Sequence, residues 1–177
     1  MLRLMLLRHA KSSWTGTTQT DFDRTLNERG RRSAALMGHH LSDHRLVPER
    51  ILCSSAQRCR ETLAGLLPYF SSAMDIDVSR PLYDAMDDDY IDHIHAFGGN
   101  ARSLMLIGHN SATQDTALSL IGSGNPELIE QMNAKFPTAG IAVIDFDKTA
   151  WSTITASSGR LVAFFRPRDL AANDMDE

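Results

Sequence analysis

The sequence predicts a three-layer α/β/α fold with a mostly parallel central sheet and antiparallel edge strands at the C-terminal end. Two short apolar segments, residues 2–7 and 103–107, have the length and Leu- and Met-rich composition of strands buried on both faces. Helical segments between the predicted strands would cover both faces of the sheet. The length of 177 residues predicts one domain over residues 1–168, followed by an acidic, loose tail over residues 169–177.

Composition limits the class of protein. The formal net charge of −4 and the pI of about 5.9 argue against a general nucleic-acid or membrane binder. No apolar run approaches the roughly 20 residues of a membrane span. Arg3 and Arg8 bracket too short an apolar run for a secretory signal, so a cytoplasmic protein is expected. Cys53 and Cys59 are expected to be buried free thiols.

The first apolar segment ends abruptly in Arg8 and His9. Because ligands of parallel sheets bind outside the carboxyl ends of the strands, both side chains are expected at a ligand site. A strand that simply ends in two solvated residues is the alternative interpretation. Residues 12–24 lack periodicity and are rich in small polar side chains, which predicts a loop beside this strand end.

Helices and strands alternate along the middle of the chain. Thr25 and Glu28 match a capping box, and Asn27 is a competing N-cap for the helix that follows. The predicted elements, in order, are a helix to about residue 44, a strand over 50–53, a helix over 57–67, a peripheral strand over 75–79, a connection over 82–86, a short helix capped by Asp87, Asp88 or Asp89 and ending at Phe97, a strand over 103–107, a helix over 112–121 and a short helix over 127–132.

Three further strands are predicted near the C-terminus, over residues 140–145, 151–156 and 161–165. Short turns separate them, so they are expected to be antiparallel to one another and to lie at one edge of the sheet.

Two imidazoles and two guanidiniums are predicted to meet. His109 follows its buried strand as His9 follows the first, and Arg58 lies in the first turn of a helix. If the three strands are parallel neighbours, Arg8, His9, Arg58 and His109 converge at one sheet edge. Guanidiniums and a helix N-terminus suit a phosphoryl group, and an imidazole can be a nucleophile. The charges of Arg8 and Arg58 are expected to keep His9 neutral in the empty site.

Several segments in order resemble the signature of the histidine phosphatase (phosphoglycerate mutase-like) superfamily, and most of all its SixA-type branch, the phosphohistidine phosphatases. The similar segments are residues 6–14, 23–30, 51–62, 106–110 and 136–143, within a likeness that spans 2–168. The resemblance implies that His9 becomes phosphorylated, that Arg8 and Arg58 bind the phosphoryl oxygens, and that His109 stabilises the transferring group. It implies no metal or other cofactor.

One position departs from the family pattern. Many members place a glutamate general acid in a Leu-x-Glu segment, where this chain has Leu82-Tyr83-Asp84. Asp84 is either a shortened general acid or a surface carboxylate. Because imidazole leaves a P–N bond more readily than an alkoxide leaves phosphorus, this departure favours phosphohistidine on a partner protein as the substrate. The short connection between Arg58 and His109 leaves no room for a large cap, so the cleft is expected to be open.

Other interpretations compete with this one. A phosphorylated small metabolite could be the substrate of a phosphomonoesterase from the same superfamily, or the chain could be a non-catalytic phosphoprotein-binding module. Histidines and aspartates also raise the hypothesis of a metal site, which involves His39, His40, His44, His93, His95 and Asp87–Asp89. Exposed polar residues are expected there instead, because no motif places a third ligand beside His40 and His44. Ser54 and Ser55 lack a nucleophile-elbow pattern and are expected to cap the next helix.

Overall fold

The structure, a computed structural model, describes residues 1–14, 20–86 and 89–173. The strands, in chain order, are β1 (Leu2–Arg8), β2 (Arg50–Ser54), β3 (Asp75–Ser79), β4 (Ser103–Gly108), β5 (Ile121–Gly124), β6 (Ile141–Phe146) and β7 (Gly159–Phe165). The helices are α1 (Glu28–Asp43), α2 (Gln57–Leu66), α3 (Pro81–Asp84), α4 (Asp89–Phe97), α5 (Ala112–Leu120), α6 (Pro126–Ala134) and α7 (Pro167–Asn173). Short 3₁₀ helices span Leu67–Tyr69 and Trp151–Thr153.

The strands form one sheet in the order β3-β2-β4-β1-β6-β7-β5. β1 lies at its centre and pairs in parallel with β4, and β4 pairs in parallel with β2. Leu7 lies opposite Ile107, and Cys53 lies opposite Ile107 on the other side of β4. The three strands therefore end at the same edge of the sheet, which confirms the predicted parallel centre.

The C-terminal strands differ in part from the prediction. β6 is antiparallel to β7, as expected, and it is also antiparallel to β1. β5 pairs in parallel with the outer side of β7 and forms the edge. The predicted strand over 151–156 is wrong. Trp151 instead starts a 3₁₀ helix, is buried, and donates its indole N–H to the carbonyl oxygen of Ala101 at 2.7 Å. Burial of this indole with a satisfied N–H outweighs the strand preference of the segment.

Side-chain alternation along the central strands separates two hydrophobic layers. Leu4 and Leu6 pack with residues of α4, α5 and α6, whereas Met5 and Leu7 pack with residues of α1 and α2. All four side chains are fully buried. The sheet is thus covered by helices on both faces, as predicted for three α/β/α layers.

The start of α1 docks against the segment that follows β1. Asn27 is the N-cap, and its side-chain oxygen accepts from the backbone N–H of Gly30 at 2.9 Å. The backbone N–H of Asn27 donates to the carbonyl oxygen of Lys11 at 3.0 Å. A Cβ built on Gly30 would lie only 2.0 Å from that carbonyl oxygen, so the close approach requires glycine.

The helix α7 (Pro167–Asn173) includes residues 169–173 of the segment 169–177, for which a loose tail was expected. Pro167 occupies the first turn of α7, and Arg166 pairs with Asp169 at 2.6 Å. Leu170 packs against the hydrophobic layer that contains α1 and α2. A proline at the helix start and the apolar contact of Leu170 account for the helix in place of a loose segment. Residues 174–177 of the predicted tail lie outside the described residues.

Two smaller differences concern the middle of the chain. The predicted connection over 82–86 contains the short helix α3. Of the three candidate caps, Asp87 and Asp88 lie outside the described residues, and α4 begins at Asp89. Within the described ranges, no helix combines the length and the apolar character that crossing a membrane requires.

Candidate active site

A pocket of about 190 Å³ lies at the carboxyl ends of β1 and β4, beside the first turn of α2. Its wall includes all four side chains that the sequence predicted to converge, namely Arg8, His9, Arg58 and His109. His9 is 7% exposed and Arg58 is 5% exposed. The ring centroids of His9 and His109 are 5.3 Å apart. The parallel arrangement of the three strands brings these residues together from positions distant in the sequence.

Hydrogen bonds assign the tautomer of His9. Nδ1 lies 2.8 Å from the carbonyl oxygen of Ala10, which can only accept, so Nδ1 carries the proton. Nε2 therefore presents a lone pair, and it accepts from Nε of Arg58 at 3.3 Å. The ring nitrogen with nucleophilic character is thus the one beside the guanidinium.

The pKa of His9 is lowered to about 3, mainly because burial penalises the charged imidazolium. The hydrogen bond to Ala10 opposes this effect, and the charges of His109, Arg58 and Arg8 add to it. The sequence predicted that the arginines keep His9 neutral. They contribute in that direction, but burial is the larger cause.

Asp21 orients Arg58. Its backbone carbonyl oxygen accepts from Nη1 of Arg58 at 2.7 Å, and its Oδ2 accepts from Nη2 at 3.1 Å. Oδ2 also accepts from the hydroxyl of Tyr83 at 2.9 Å, and Oδ1 accepts from Nη2 of Arg24 at 3.0 Å. Burial alone would raise the pKa of Asp21, but the Tyr83 hydrogen bond and the Arg58 charge outweigh it and lower this pKa. The carboxylate is therefore held ionised beside the pocket.

No local pattern in the sequence indicates this role for Asp21, because the residue lies in an aperiodic loop without a recognisable motif. Arg24, which follows three residues later, also lines the pocket. Arg24 belongs to the segment over 23–30 that resembles the superfamily, and this resemblance is the feature of the sequence that could have indicated its place at the site.

His109 is fixed through both its backbone and its ring. Its backbone N–H donates to the buried Tyr90 hydroxyl oxygen at 2.8 Å. A Cβ on the preceding Gly108 would lie 2.2 Å from that oxygen, so only glycine permits the contact. In the ring, Nδ1 accepts from Nη2 of Arg58 at 3.2 Å, because a guanidinium can only donate. Burial, followed by the Arg58 charge, lowers the pKa of His109 to about 4.

Ser54 contacts the other ring nitrogen of His109. Its Oγ lies 2.8 Å from Nε2, and the serine is fully buried. The expected capping role is wrong, since Ser54 ends β2 and the N-cap of α2 is Ala56, which makes no side-chain cap bond. Ser54 instead holds the His109 ring.

Cys53 and Cys59 are both buried and free, as predicted. The thiol sulfur of Cys59 lies 3.5 Å from Nε2 of His109, behind the ring and away from the solvent. Burial raises the pKa of this thiol to about 12, so it is a neutral packing group and not a nucleophile.

Arg8 and Arg24 bring donors to the pocket that lack acceptors. Nη1 of Arg8 donates to the carbonyl oxygen of Phe136 at 2.8 Å. The Nε atoms of Arg8 and Arg24 are buried and have no hydrogen-bond partner among the described residues. Burial also lowers the pKa of Arg8. Unpaired buried donors in a cationic pocket favour an anionic ligand that would accept from them.

Asp84 does not join the pocket. Its side chain is 59% exposed and pairs with Arg80 across one helical turn, with Nε 3.3 Å from Oδ2. It lines a separate groove with Asp89 and His93. Of the five sequence-predicted site residues, Asp84 is the one that the fold places elsewhere.

The histidines of the alternative metal site have other neighbours. The rings of His40 and His44 lie 4.0 Å apart, and the His40 ring packs edge-on against Phe165 at 4.4 Å. His39 pairs with Asp43, and Nε2 of His95 lies 2.9 Å from the carbonyl oxygen of Ile154. Within residues 1–14, 20–86 and 89–173, no group of three His, Cys, Asp or Glu residues is arranged to hold a metal ion.

Comparison with known sequences identifies relatives over most of the chain. Residues 4–80 match the model of the histidine phosphatase superfamily (branch 1). An uncharacterized protein of Mycobacterium leprae is 35% identical over 166 residues, which cover 92% of this chain and 100% of that protein.

Solved structures share the fold. A protein of Agrobacterium tumefaciens named as a phosphohistidine phosphatase, SixA, is 34% identical and superposes with a TM-score of 0.79 over 94% of this chain and 98% of that one. The protein histidine phosphatase SixA in complex with tungstate is 19% identical, with a TM-score of 0.76 over 96% and 99% of the two chains. The second match supports the fold alone.

Proposed function

This chain belongs to the SixA-type group of the histidine phosphatase superfamily, and from that premise we propose that it transfers a phosphoryl group to His9 and then to water. The proposed substrate is phosphohistidine on a partner protein, and the proposed reaction requires no metal. The fold and its relatives support a phosphatase. The identity of the substrate and the residue roles rest on the geometry of the pocket.

The observation that carries the proposal is the state of the His9 ring. Nδ1 carries the proton and donates it to the carbonyl oxygen of Ala10, so Nε2 carries the lone pair that would attack phosphorus. The same carbonyl would stabilise the positive charge that develops on the ring as Nε2 forms its bond. Arg58 places a donor beside Nε2, where the phosphoryl oxygens would lie.

Two displacements at phosphorus complete the reaction. In the first, the lone pair of His9 Nε2 forms a bond to phosphorus while the P–N bond to the substrate imidazole breaks. The departing imidazole keeps the bonding pair and leaves neutral, because its other ring nitrogen already carries a proton. In the second, the oxygen of water forms a bond to phosphorus while the P–N bond to His9 breaks and returns its electron pair to Nε2. The water protons stay on the product, which leaves as dihydrogen phosphate. The Arg8 and Arg58 guanidiniums balance the phosphoryl charge in both steps.

His109 supports these steps from the wall of the pocket, where it is proposed to stabilise the transferring group. Its ring is held by Ser54, whose Oγ lies 2.8 Å from Nε2, and by Nη2 of Arg58, which donates to Nδ1 at 3.2 Å. The lowered pKa of about 4 keeps this imidazole neutral.

Pocket size and the position of Asp84 support phosphohistidine over a small metabolite. The pocket volume of about 190 Å³ is smaller than the roughly 300–1,000 Å³ of typical small-molecule sites. It would hold the phosphoryl group while the rest of the substrate stays outside. An alkoxide leaving group needs a proton donor, and the Asp84 carboxylate is turned toward Arg80.

Trapping the covalent intermediate tests the proposal. Wild-type protein incubated with ³²P-labelled phosphohistidine peptide and quenched rapidly should carry acid-labile, base-stable label on a peptide that contains His9. His9→Ala should lose both the label and turnover, whereas His39→Ala, a change at a histidine on α1 outside the pocket, should keep both. Label on serine, or turnover by His9→Ala, would contradict the proposal.

The same assay tests the independence from metal. Chelation should leave the rate unchanged, because Arg8 and Arg58 supply the charge that a divalent ion supplies elsewhere. Activity that is lost on chelation and restored by Mg²⁺ or Zn²⁺ would contradict this part of the proposal.

A further inference from the structure

A second cavity, a groove of about 380 Å³, lies where α1, the end of α6 and the start of α7 meet. Four of its lining residues are cationic, namely Arg29, Lys135, Arg166 and Arg168, and none of the described residues that line it is Asp or Glu. This concentration of positive charge occurs in a chain with a formal net charge of −4. We refer to it as the basic groove.

The basic groove borders the active-site pocket. Thr138 lines both cavities. The segment that contains it also holds the pocket in place, since the carbonyl oxygen of Phe136 accepts from Arg8 at 2.8 Å and the N–H of Ala139 donates to the carbonyl oxygen of Arg8 at 3.0 Å. A substrate whose phosphoryl group is in the pocket therefore has the basic groove next to it.

Among the described residues, the carboxylates near the basic groove neutralise its charges incompletely. Arg166 and Arg168 share a single carboxylate, Asp169, at 2.6 and 3.7 Å. Arg29 and Lys135 are exposed, and in the described part of the chain neither pairs with a carboxylate. Neighbouring cations without counter-charges raise the local potential and favour an anionic partner.

We infer that the basic groove binds an acidic segment of the protein that carries the phosphohistidine. This inference rests on the proposed function and adds a substrate class to it, namely proteins with Asp or Glu side chains close to the modified histidine. The pocket takes the phosphoryl group, and the basic groove selects what surrounds it. Charge complementarity of this kind steers association and rejects partners with basic surfaces.

Phosphohistidine peptides with different flanks test the inference. One peptide carries glutamates around the histidine, a second carries lysines and a third carries serines. The wild-type protein should show the highest kcat/KM with the glutamate peptide, and the preference should shrink as ionic strength rises to about 1 M, where the Debye length falls to about 3 Å.

Substitutions in the basic groove should remove this preference. Arg29→Ala with Lys135→Ala should lower kcat/KM for the glutamate peptide roughly tenfold, mainly through KM, because each exposed charge contributes modestly. Turnover of the serine peptide and of an aryl phosphate should not change. Lys135→Glu should shift the preference toward the lysine peptide.

A matched control removes one arginine and one lysine elsewhere. Arg32 lies on α1 and pairs with Glu28. Lys148 follows the end of β6, and that end lies beside Leu2, at the end of β1 opposite to Arg8. Arg32→Ala with Lys148→Ala should keep the glutamate preference. Equal losses in the groove variant and this control would overturn the inference.

The outcomes separate the inference from the proposed function. Wild-type turnover of all three peptides at equal rates contradicts only the basic groove as a binding surface for acidic segments. Inhibition by tripolyphosphate that depends on Arg29 and Lys135, without any peptide preference, overturns it in favour of a small-anion site. Absence of label on His9 with every substrate contradicts the proposed function itself.

Discussion

Asp84 lies outside the pocket, where its exposed carboxylate pairs with Arg80. Asp84→Asn is therefore expected to change kcat/KM by less than about twofold for both phosphohistidine and an alkyl phosphate, as for other exposed groups. Asp21→Asn is the matched comparison, since it removes the charge that holds Arg58 at 3.1 Å. It should lower kcat/KM roughly 10- to 100-fold on both substrates by displacing that guanidinium. Selective loss with the alkyl phosphate in Asp84→Asn would instead identify a working acid.

Burial of two neutral imidazoles makes the stability of the folded state depend on pH. The pKa values of His9 and His109 are lowered to about 3 and about 4, whereas an unfolded histidine titrates near 6.5. The unfolded chain therefore binds more protons as the pH falls below about 6.5. The resulting stability is complete above that pH and is lost progressively toward pH 3 to 4, with a slope of about 1.4 kcal/mol per pH unit for each histidine.

Urea unfolding across this range measures the effect. His109→Gln should reduce the slope of the unfolding free energy against pH by about 1.4 kcal/mol per pH unit between roughly pH 4.5 and 6. Ile154→Val, a conservative change at a fully buried position without a titrating group, should lower the whole curve and keep its slope. A slope that is unchanged in His109→Gln would contradict burial of the neutral His109 ring as a source of the pH dependence.

At the scale of residues, the sequence predicted the groups whose positions follow from strand ends. Arg8, His9 and His109 end or follow buried strands, and parallel pairing then brings them together. Asp21 could not be predicted, because its position depends on how an aperiodic loop folds over α2. Ser54 could not either, since its contact with His109 joins residues 55 positions apart.

At the scale of elements, Thr62 joins β1 to α2. Its hydroxyl accepts from the backbone N–H of Ala10 at 3.0 Å and donates to the carbonyl oxygen of Arg58 at 2.7 Å. Thr62→Val keeps the shape but leaves the buried N–H of Ala10 unpaired, which should cost about 1–3 kcal/mol of unfolding free energy. Because Ala10 follows His9, kcat/KM should fall as well.

Thr62→Ser is the control for this prediction, since it keeps the hydroxyl and removes only a methyl group. Chemical denaturation and aryl phosphate turnover should place it between the wild type and Thr62→Val. A Thr62→Val protein as stable and active as Thr62→Ser would show that the hydroxyl does not couple the two elements.

The elements that were predicted correctly have strong local signals, and those that were missed depend on tertiary contacts. β1 and β4 are nearly continuous apolar runs. β5, with the sequence Ile-Gly-Ser-Gly, has only one strand-forming residue beside two glycines, and it exists because it pairs with β7. Gly30 looks like a weak point of α1 in the sequence, but the fold needs it for the approach of Lys11. Such contacts are invisible to a local pattern.

At the scale of the whole molecule, an ion pair joins the first and sixth strands. Nε and Nη2 of Arg3 lie 2.7 and 2.8 Å from the two carboxylate oxygens of Asp145, which is 8% exposed. The Arg3 side chain is 37% exposed, so solvent screening limits the gain. A double-mutant cycle with Arg3→Met and Asp145→Asn should give a coupling energy of roughly 1 kcal/mol.

The surface pair of Arg32 and Glu28 provides the comparison, with side chains 68% and 80% exposed. A double-mutant cycle on this pair, measured by urea unfolding in the same buffer, should give a coupling energy of about 0.3–0.5 kcal/mol. Equal coupling energies in the two cycles would mean that neither the bidentate geometry nor the burial of Asp145 strengthens the ion pair.

The central place of β1 also affects how the protein is made. Leu2–Arg8 leaves the ribosome before the other strands of the sheet, but one of its two partner strands ends at Phe146. At roughly 5–20 residues per second, β1 waits roughly 7 to 28 s for that partner. During this time an apolar strand is without its neighbours, and open strand edges are sites of aggregation. Chains released before β6 is synthesised leave one edge of β1 unpaired and are therefore expected to be substrates for chaperones.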